Sequence, residues 1–230
     1  MSEPASGLYV TKSDFAYTQL REAILNGEYG PGTVLNQAML AKTIGISTTP
    51  LREALRRLLS EGLVELDAHR DARVTELTAE EARDLLEVRL SLDPLAAGLA
   101  AERRTKDDIR RMREAVQDVK PLLSNPSVED LVKHRIFHQA VYEASHNDLL
   151  IGTLNGLWDK ADRYRRLGLE KTRSQEELDQ KDREHHELVD AVVRGDAAAA
   201  SNVMCQHITT SLGVTAASRL GVVPTQTPRA

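Results

Sequence analysis

The sequence predicts a mainly α-helical chain: a small three-helix unit with a β-hairpin, then a longer all-helical bundle. Three observations predict it. Apolar residues recur at helical spacing along most of the 230 residues, as in Leu51, Ala54, Leu55, Leu58 and Leu59, which share one helix face. Helix start and stop signals separate these stretches: Ser47 before Thr48-Thr49-Pro50, Thr78 three residues before Glu81, Ser174 three before Glu177, and Gly195 before Asp196. A hydroxyl there accepts from the first unpaired amides, and a glycine after the last turn adopts the left-handed conformation. Composition agrees, with 41% hydrophobic, 3% aromatic and 28% charged residues, rich in Ala, Leu, Arg and Glu.

In chain order, residues 1–12 read as a flexible arm and 13–77 as the first folded unit. A helix is expected over 14–25, ended by Asn26-Gly27, followed by a turn on Gly30-Pro31-Gly32. A second short helix lies in NQAMLAKTIG, closed by Gly45, and a third runs from Ser47 to Gly62. Pro50 is compatible with that third helix because first-turn amides have no intrahelical partner. Two short strands, Leu63–Leu66 and Arg73–Leu77, form the hairpin around residues 67–72. Three helices and a hairpin in this order make a winged helix-turn-helix. Residues 78–221 form the second unit, with helices over about 79–102, 106–123, 127–146, 148–170, 175–194 and 196–220, and residues 222–230 read as a flexible tail. Pro121 and Asn125-Pro126 break the second of these helices from the third.

The one cysteine, Cys205, excludes an internal disulfide framework, and no apolar run is long enough to span a membrane; a cytoplasmic protein is expected. Net charge is −5, and residues 1–77 alone hold eight Lys/Arg against ten Asp/Glu. Positive charge is instead local: Lys42, Arg52, Arg56 and Arg57 stand against Glu53 alone between residues 42 and 57. A helix opening with Ser47, Thr48 and Thr49 and carrying Arg52 and Arg56 on its outer side suits the major groove, where hydroxyls, amides and guanidinium groups meet phosphates and base edges. Lys42 and Asn36 on the preceding helix and His69 and Arg70 in the hairpin loop are the further candidates for DNA contact, although a plain surface histidine suffices for His69. A patch this small needs doubling in a dimer.

The stretch GEYGPGTVLNQAMLAKTIGISTTPLREALRRLLSEGLVEL resembles the DNA-binding domain of the GntR family of bacterial transcription regulators. The PG turn, the LN…LA…G helix, S-x-T-P-x-R-E-A-L and EGLVE carry the resemblance, over about residues 14–77. Two positions depart from it. The family has a base-contacting Arg where this chain has Thr48, and Arg-Gly at the wing tip where this chain has Arg70-Asp71. Similarly, EVRLSLDPLAAGLAA, FHQAVYEASHNDLL and EHHELVDAVVRGDAAAASNVMCQHI resemble the FCD effector domain of the FadR-like subfamily, over about residues 79–215. That resemblance implies an antiparallel helical bundle that binds a small carboxylic acid, often through a metal. It further implies a dimer on a pseudo-palindromic operator, with repression as the default mode.

Seven histidines are present, and four of them form a constellation. His134 and His138 lie four apart, so they stack on one helix face continued by Leu131 and Val141. His185 shares a face with Leu188, Val189 and Val192, and His207 shares one with Val203 and Met204. Taken singly, each fits a hydrogen-bonded core histidine. Taken together, four unpaired buried imidazoles would be costly, and a shared metal ion is the preferred reading. The resemblance supports this, because the FCD metal site draws on these positions, with an Asp in the family where this chain has His134. An all-imidazole site favours Zn²⁺, with Ni²⁺ as the alternative, over Mg²⁺ or Mn²⁺; Asp130, one turn earlier, is a further acid within reach of such a site. His186 is expected in solvent and His146 at a helix end.

Arg89 matches a family position that holds the effector carboxylate, for which a guanidinium fork is suited; an ordinary pair with Glu87 or Asp93 is the competing reading. Asn155 and Trp158 are candidates for lining the effector cavity, and periodicity does not separate that from core packing. Arg163, Arg165 and Arg166 read as a mostly solvated cluster, with one of them entering the pocket as the lesser alternative. The leading expectation is a ligand-responsive DNA-binding regulator and no enzyme. A metal-dependent enzyme is the competing reading, but no H-E-x-x-H, nucleophile arrangement or glycine-rich phosphate loop is present: His186-Glu187 is followed by Asp190, not His. The third reading, an interaction protein that does not bind DNA, has the net negative charge in its favour and the basic patch against it.

Overall fold

The structure is a computed structural model that describes residues 11–66, 71–123, 126–169, 173–210 and 220–221. The chain divides into two compact units, 1–77 and 78–230. The first contains α1 (Lys12–Leu25), β1 (Val34–Leu35), α2 (Gln37–Ile44), α3 (Thr48–Ser60), β2 (Val64–Leu66) and β3 (Ala72–Val74). The three strands form one antiparallel sheet in the order β1-β3-β2, with Val34 opposite Arg73 and Val64 opposite Val74. Strand β1 was not expected. Two residues are too few to show an alternation, and only its pairing with β3 reveals it.

The core of this unit is built from Leu20, Ile24, Leu35, Leu51, Leu55, Leu58, Leu63 and Val74. Leu59, expected on the buried face of α3, is 40% exposed, so the apolar stripe is narrower. Arg57 extends toward α1. Its guanidinium pairs with Asp14 at 2.7 Å and lies 3.7 Å from the centre of the Tyr17 ring, while the Tyr17 hydroxyl donates to Glu61 at 2.6 Å. Arg57 therefore ties α1 to α3, and its charge is not free for a partner. Ser47 occupies the N-cap of α3 in an extended conformation but makes no side-chain cap bond.

Helix α2 is capped twice. Asn36 Oδ1 accepts from Met39 N at 3.0 Å, and its Nδ2 donates to Asp71 at 3.2 Å. Asp71 Oδ1 also accepts from Gln37 N at 3.3 Å. An acid at a helix N-terminus meets the positive end of the helix dipole. Asp71, just ahead of β3, thus joins that strand to α2.

The second unit contains α4 (Ala79–Arg103), α5 (Lys106–Asp118), α6 (Val128–Glu143), α7 (Asp148–Leu169), α8 (Gln175–Arg194) and α9 (Ala197–Thr209). Ser174 and Glu177 form a reciprocal capping box, as expected, and so do Thr105 with Asp108 and Ser127 with Asp130. The Thr78 box is only half made. Thr78 accepts from Glu81 N, but the Glu81 carboxylate turns to Lys160 Nζ and the Tyr164 hydroxyl, both at 2.7 Å. The same hydroxyl stands 3.1 Å from Thr78 N and 3.2 Å from Thr78 O. Helix α5 stops before Val119, because residues preceding Pro121 are pushed toward extended conformations. The expected reach of the last helix to 220 falls on 211–219, and the expected arm and tail fall largely on 1–10 and 222–230; all lie outside the described residues.

Small residues let α4 and α9 approach closely: Ala96, Ala97, Ala100 and Ala101 are buried with Ala200 and Met204. A side chain on Gly98 would come 2.6 Å from Ser201 Oγ, whose hydroxyl donates to the Pro94 carbonyl at 2.9 Å. Phe137, Val141, Leu154, Leu188 and Val192 fill the rest of the core. With α9 held against α4, His207 is placed opposite α6 and α8.

Candidate metal and effector site

The two histidines of α6, His185 of α8 and His207 of α9 meet in the interior of the second unit. Each offers a ring nitrogen such that all four donor atoms lie within 4.8 Å of one another. Ring centroids are 4.7 Å apart for His134 and His138, 5.1 Å for His138 and His207, and 4.8 Å for His185 and His207. All four are buried. His134 Nδ1 and both ring nitrogens of His138 and His185 have no hydrogen-bond partner among the described residues. Orphaned polar atoms at such a density are costly unless something else satisfies them.

Burial is the main cause that lowers the pKa of all four, and nearby Arg165 adds to it at His134. The rings are therefore neutral near pH 7, and their lone pairs are available. His207 differs in having a partner: its Nδ1 is 2.9 Å from Glu184 Oε2. Burial would raise the Glu184 carboxyl, but hydrogen bonds from His207 and Lys181 outweigh it and hold the group down to about 2. An ionised carboxylate only accepts, so Nδ1 carries the proton and Nε2 presents its lone pair to the cluster. Carboxylate–histidine pairs of this kind orient metal ligands in proteins generally. Two donors about 2.1 Å from a tetrahedral zinc ion stand about 3.4 Å apart, so closing this cluster on an ion draws its most distant donors together by about 1.4 Å. Donor chemistry, orphaned atoms and the Glu184 contact all fit a divalent transition metal. Asp130 does not belong to the group, since its carboxylate is engaged in the Ser127 capping box at 2.6 Å.

A cavity adjoins the four rings, and its wall includes Arg89, Arg165, Arg173 and Lys181. Arg89 makes the ion pair that was the competing reading, and it also borders the cavity. It pairs with Asp93 through two bonds, at 2.7 and 3.3 Å. Asp93 in turn accepts from the Tyr142 hydroxyl at 2.5 Å. Arg163 and Arg165 are buried, contrary to the solvated cluster expected. Arg165 pairs with Asp162 and lies 4.8 Å from the centre of the Trp158 ring. Burial and the neighbouring Arg89 push its pKa down to about 9.

Trp158 packs beneath the histidines, 5.0 Å from His138 between ring centroids, and is not part of the cavity wall. Asn155 is half-buried and also absent from that wall. His186 is exposed, as expected. His146 lies three residues beyond the end of α6, at φ 47°, and bonds Asp108 at 2.8 Å. Arg165, Arg173, Lys181 and Glu184 were missed by sequence reasoning. Glu184 and Lys181 had a readable signal, since they precede His185 by one and four residues. Arg165 had none, because three arginines within four positions leave the inward one undetermined.

On the first unit, Lys42, Ser47, Thr48, Thr49, Arg52 and Arg56 are all exposed. Arg52 Nε lies 3.3 Å from Gln37 Oε1. Asn36 has both ends of its amide engaged in the α2 cap, so it shapes this surface without offering a free group. His69 and Arg70 lie outside the described residues.

A winged helix-turn-helix ahead of a helical bundle that encloses a histidine cluster is the architecture of a DNA-binding transcription regulator. Residues 12–74 match the gntR family of bacterial regulatory proteins, and residues 84–210 match the FCD domain. The chain belongs to the GntR family, in the branch that carries an FCD domain. It is similar to the transcriptional repressor GlaR of Escherichia coli, 28% identical over 86% of this chain and 93% of that protein. It is also similar to the uncharacterized regulator YdhC of Bacillus subtilis, 29% identical over 57% of this chain, a match spanning 59% of that protein. Among solved structures, E. coli McbR/YncC shares the fold, with a TM-score of 0.73 at 23% identity over 87% of this chain and 95% of that one. These families and relatives are transcription regulators, not enzymes. No described helix is long and apolar enough to cross a membrane.

Proposed function

We propose that the chain is a repressor that binds a pseudo-palindromic operator as a homodimer and is released by a small carboxylate bound beside a zinc ion. Residues 13–77 form the DNA-binding domain and 78–221 the effector and dimerisation domain. The observation that carries this reading is the convergence of four neutral, buried imidazoles, most of their nitrogens unpartnered, next to Arg89 and Arg165. His134, His138, His185 and His207 hold the ion; imidazole donors favour Zn²⁺, or Ni²⁺, over the oxygen-seeking Mg²⁺. When bound, the ion supplies a Lewis-acidic positive charge for an effector oxygen. Arg89, preorganised by Asp93, and Arg165, stacked near Trp158, face the same carboxylate.

On the DNA side, Thr48, Thr49 and Arg52 address base edges, and Lys42, Ser47, Arg56 and the hairpin residues His69 and Arg70 address phosphates. Each half-site is lightly charged, so tight binding needs both protomers. The acid acts by preferring one arrangement of the dimer over another. GlaR is named a repressor, which supports the same sign here.

Gel shifts with DNA flanking the gene test the output. Arg52→Ala should cost about 1–3 kcal/mol in binding, the range for a good base contact. Unchanged binding in that variant would remove α3 from the interface. Metal analysis tests the input: a purified protein without zinc or nickel, or one that keeps its metal when His185 and His207 are both replaced by Ala, would sink the site.

A further inference from the structure

We propose that the cavity selects an acid carrying two anionic groups, and that Arg173 is the residue that holds the second of them. This rests on the effector reading above and narrows it. Four cationic side chains, Arg89, Arg165, Arg173 and Lys181, line the one cavity. Three carboxylates answer them: Asp93 pairs with Arg89, Asp162 with Arg165 and Glu184 with Lys181. Arg173 is left over. It makes no hydrogen bond or ion pair among the described residues, and it is half-buried, so its charge is neither matched nor fully solvated. Glu177 and Glu184 act on it only through space, because Glu177 is committed to the Ser174 cap and Glu184 to His207 and Lys181.

The charge balance then decides the ligand class. The side chains alone leave one positive charge in excess, and a divalent ion on four neutral histidines raises the excess to three. A monocarboxylate would leave two charges of this surplus in a poorly solvated space, where unmatched charge is expensive. A dianion removes most of it.

Cavity size sets the length. Space open to the centres of water molecules is about 30 Å³, and one water needs roughly 10–15 Å³ by this measure. Two or three waters can be displaced, so the shortest diacids come nearest to fitting and each further carbon needs more rearrangement of the wall. Arg173 directly precedes the N-cap of α8, the helix that carries Lys181, Glu184 and His185. An acid spanning the cluster and Arg173 would therefore load α8 at two points.

The test uses the zinc-loaded full-length protein and calorimetric titration with matched pairs: malonate and propionate, succinate and butyrate, glutarate and pentanoate. At least one diacid should bind about tenfold or more tighter than its monoacid, the usual worth of a charge-assisted hydrogen bond. Arg173→Gln should bring that ratio to within about twofold, weakening the diacid far more than the monoacid and leaving zinc content unchanged, and Arg173→Lys should recover part of the preference. Equal affinity within every pair for the native protein overturns the proposal, as does an Arg173→Gln variant that keeps the preference or weakens both acids alike. If no acid of either kind binds the zinc-loaded protein, the effector reading fails with it.

Discussion

Replacing Glu184 by Gln probes the site at the point where charge, tautomer and metal affinity meet. The substitution keeps the shape and removes the charge. In the native chain the carboxylate accepts from His207 Nδ1 at 2.9 Å and from Lys181 Nζ at 2.8 Å. Both donors use the one oxygen Oε2, so a glutamine oxygen placed there can still accept from each, but as a neutral and weaker partner, and the charge that fixes the proton on His207 Nδ1 and strengthens Nε2 as a metal donor is lost. Loss of such an outer partner typically weakens metal binding 10–100-fold, or about 1.4–2.7 kcal/mol. Zinc affinity from competition with a chromophoric chelator should fall by that factor, and the rise in Tm on adding zinc should shrink with it. Lys181→Met in the same chain removes the stranded ammonium and should recover metal-free stability without recovering zinc affinity. Glu184→Gln with a zinc Kd within twofold of the native value would refute this account of His207.

Metal-free protein should lose stability steeply below pH 6.5. The native pKa of each clustered histidine is lowered, so the unfolded chain binds more protons as pH falls through the ordinary value; stability is complete above that value and declines below it by about 1.4 kcal/mol per pH unit for each histidine that titrates. Urea denaturation that is flat from pH 7 to 5.5 would count against neutral buried rings. Asp71→Ala should destabilise the first unit by about 1 kcal/mol, as loss of a helix cap does, and weaken DNA binding although it removes a negative charge; tighter binding would mean that the charge, not the cap, dominates. Gly98→Val should cost about 1–3 kcal/mol by overpacking, read in thermal melts, because the new side chain meets Ser201 and its bond to Pro94.

Helices were legible where caps and periodicity agree. Ser174, Gly195 and the leucines of α3 act through contacts a few residues apart, which a sequence displays directly. The four histidines were legible because i, i+4 spacing and apolar neighbours fix which face each occupies. What escaped depends on partners distant in the chain. Strand β1 exists through β3, about forty residues later. Asp71 gains its meaning from Asn36 and Gln37. Arg165 reaches the cavity through the way α7 packs, which a run of arginines does not display. The half-made Thr78 box shows the same rule in reverse: a local motif was present, but Lys160 and Tyr164 drew Glu81 away from it.

That diversion has a mechanical consequence. Tyr164 and Arg165 are neighbours on α7, and the first grips the backbone of Thr78, where the second unit begins, while the second faces the cavity. At about 6 Å from a helix axis, a turn of about 10° moves a side-chain tip by about 1 Å. A displacement of that size stretches the 3.1 Å contact between Thr78 N and the hydroxyl past hydrogen-bonding range. A turn of α7 would thus act on two adjacent side chains at once, one on the cavity and one on the residue where the second unit begins.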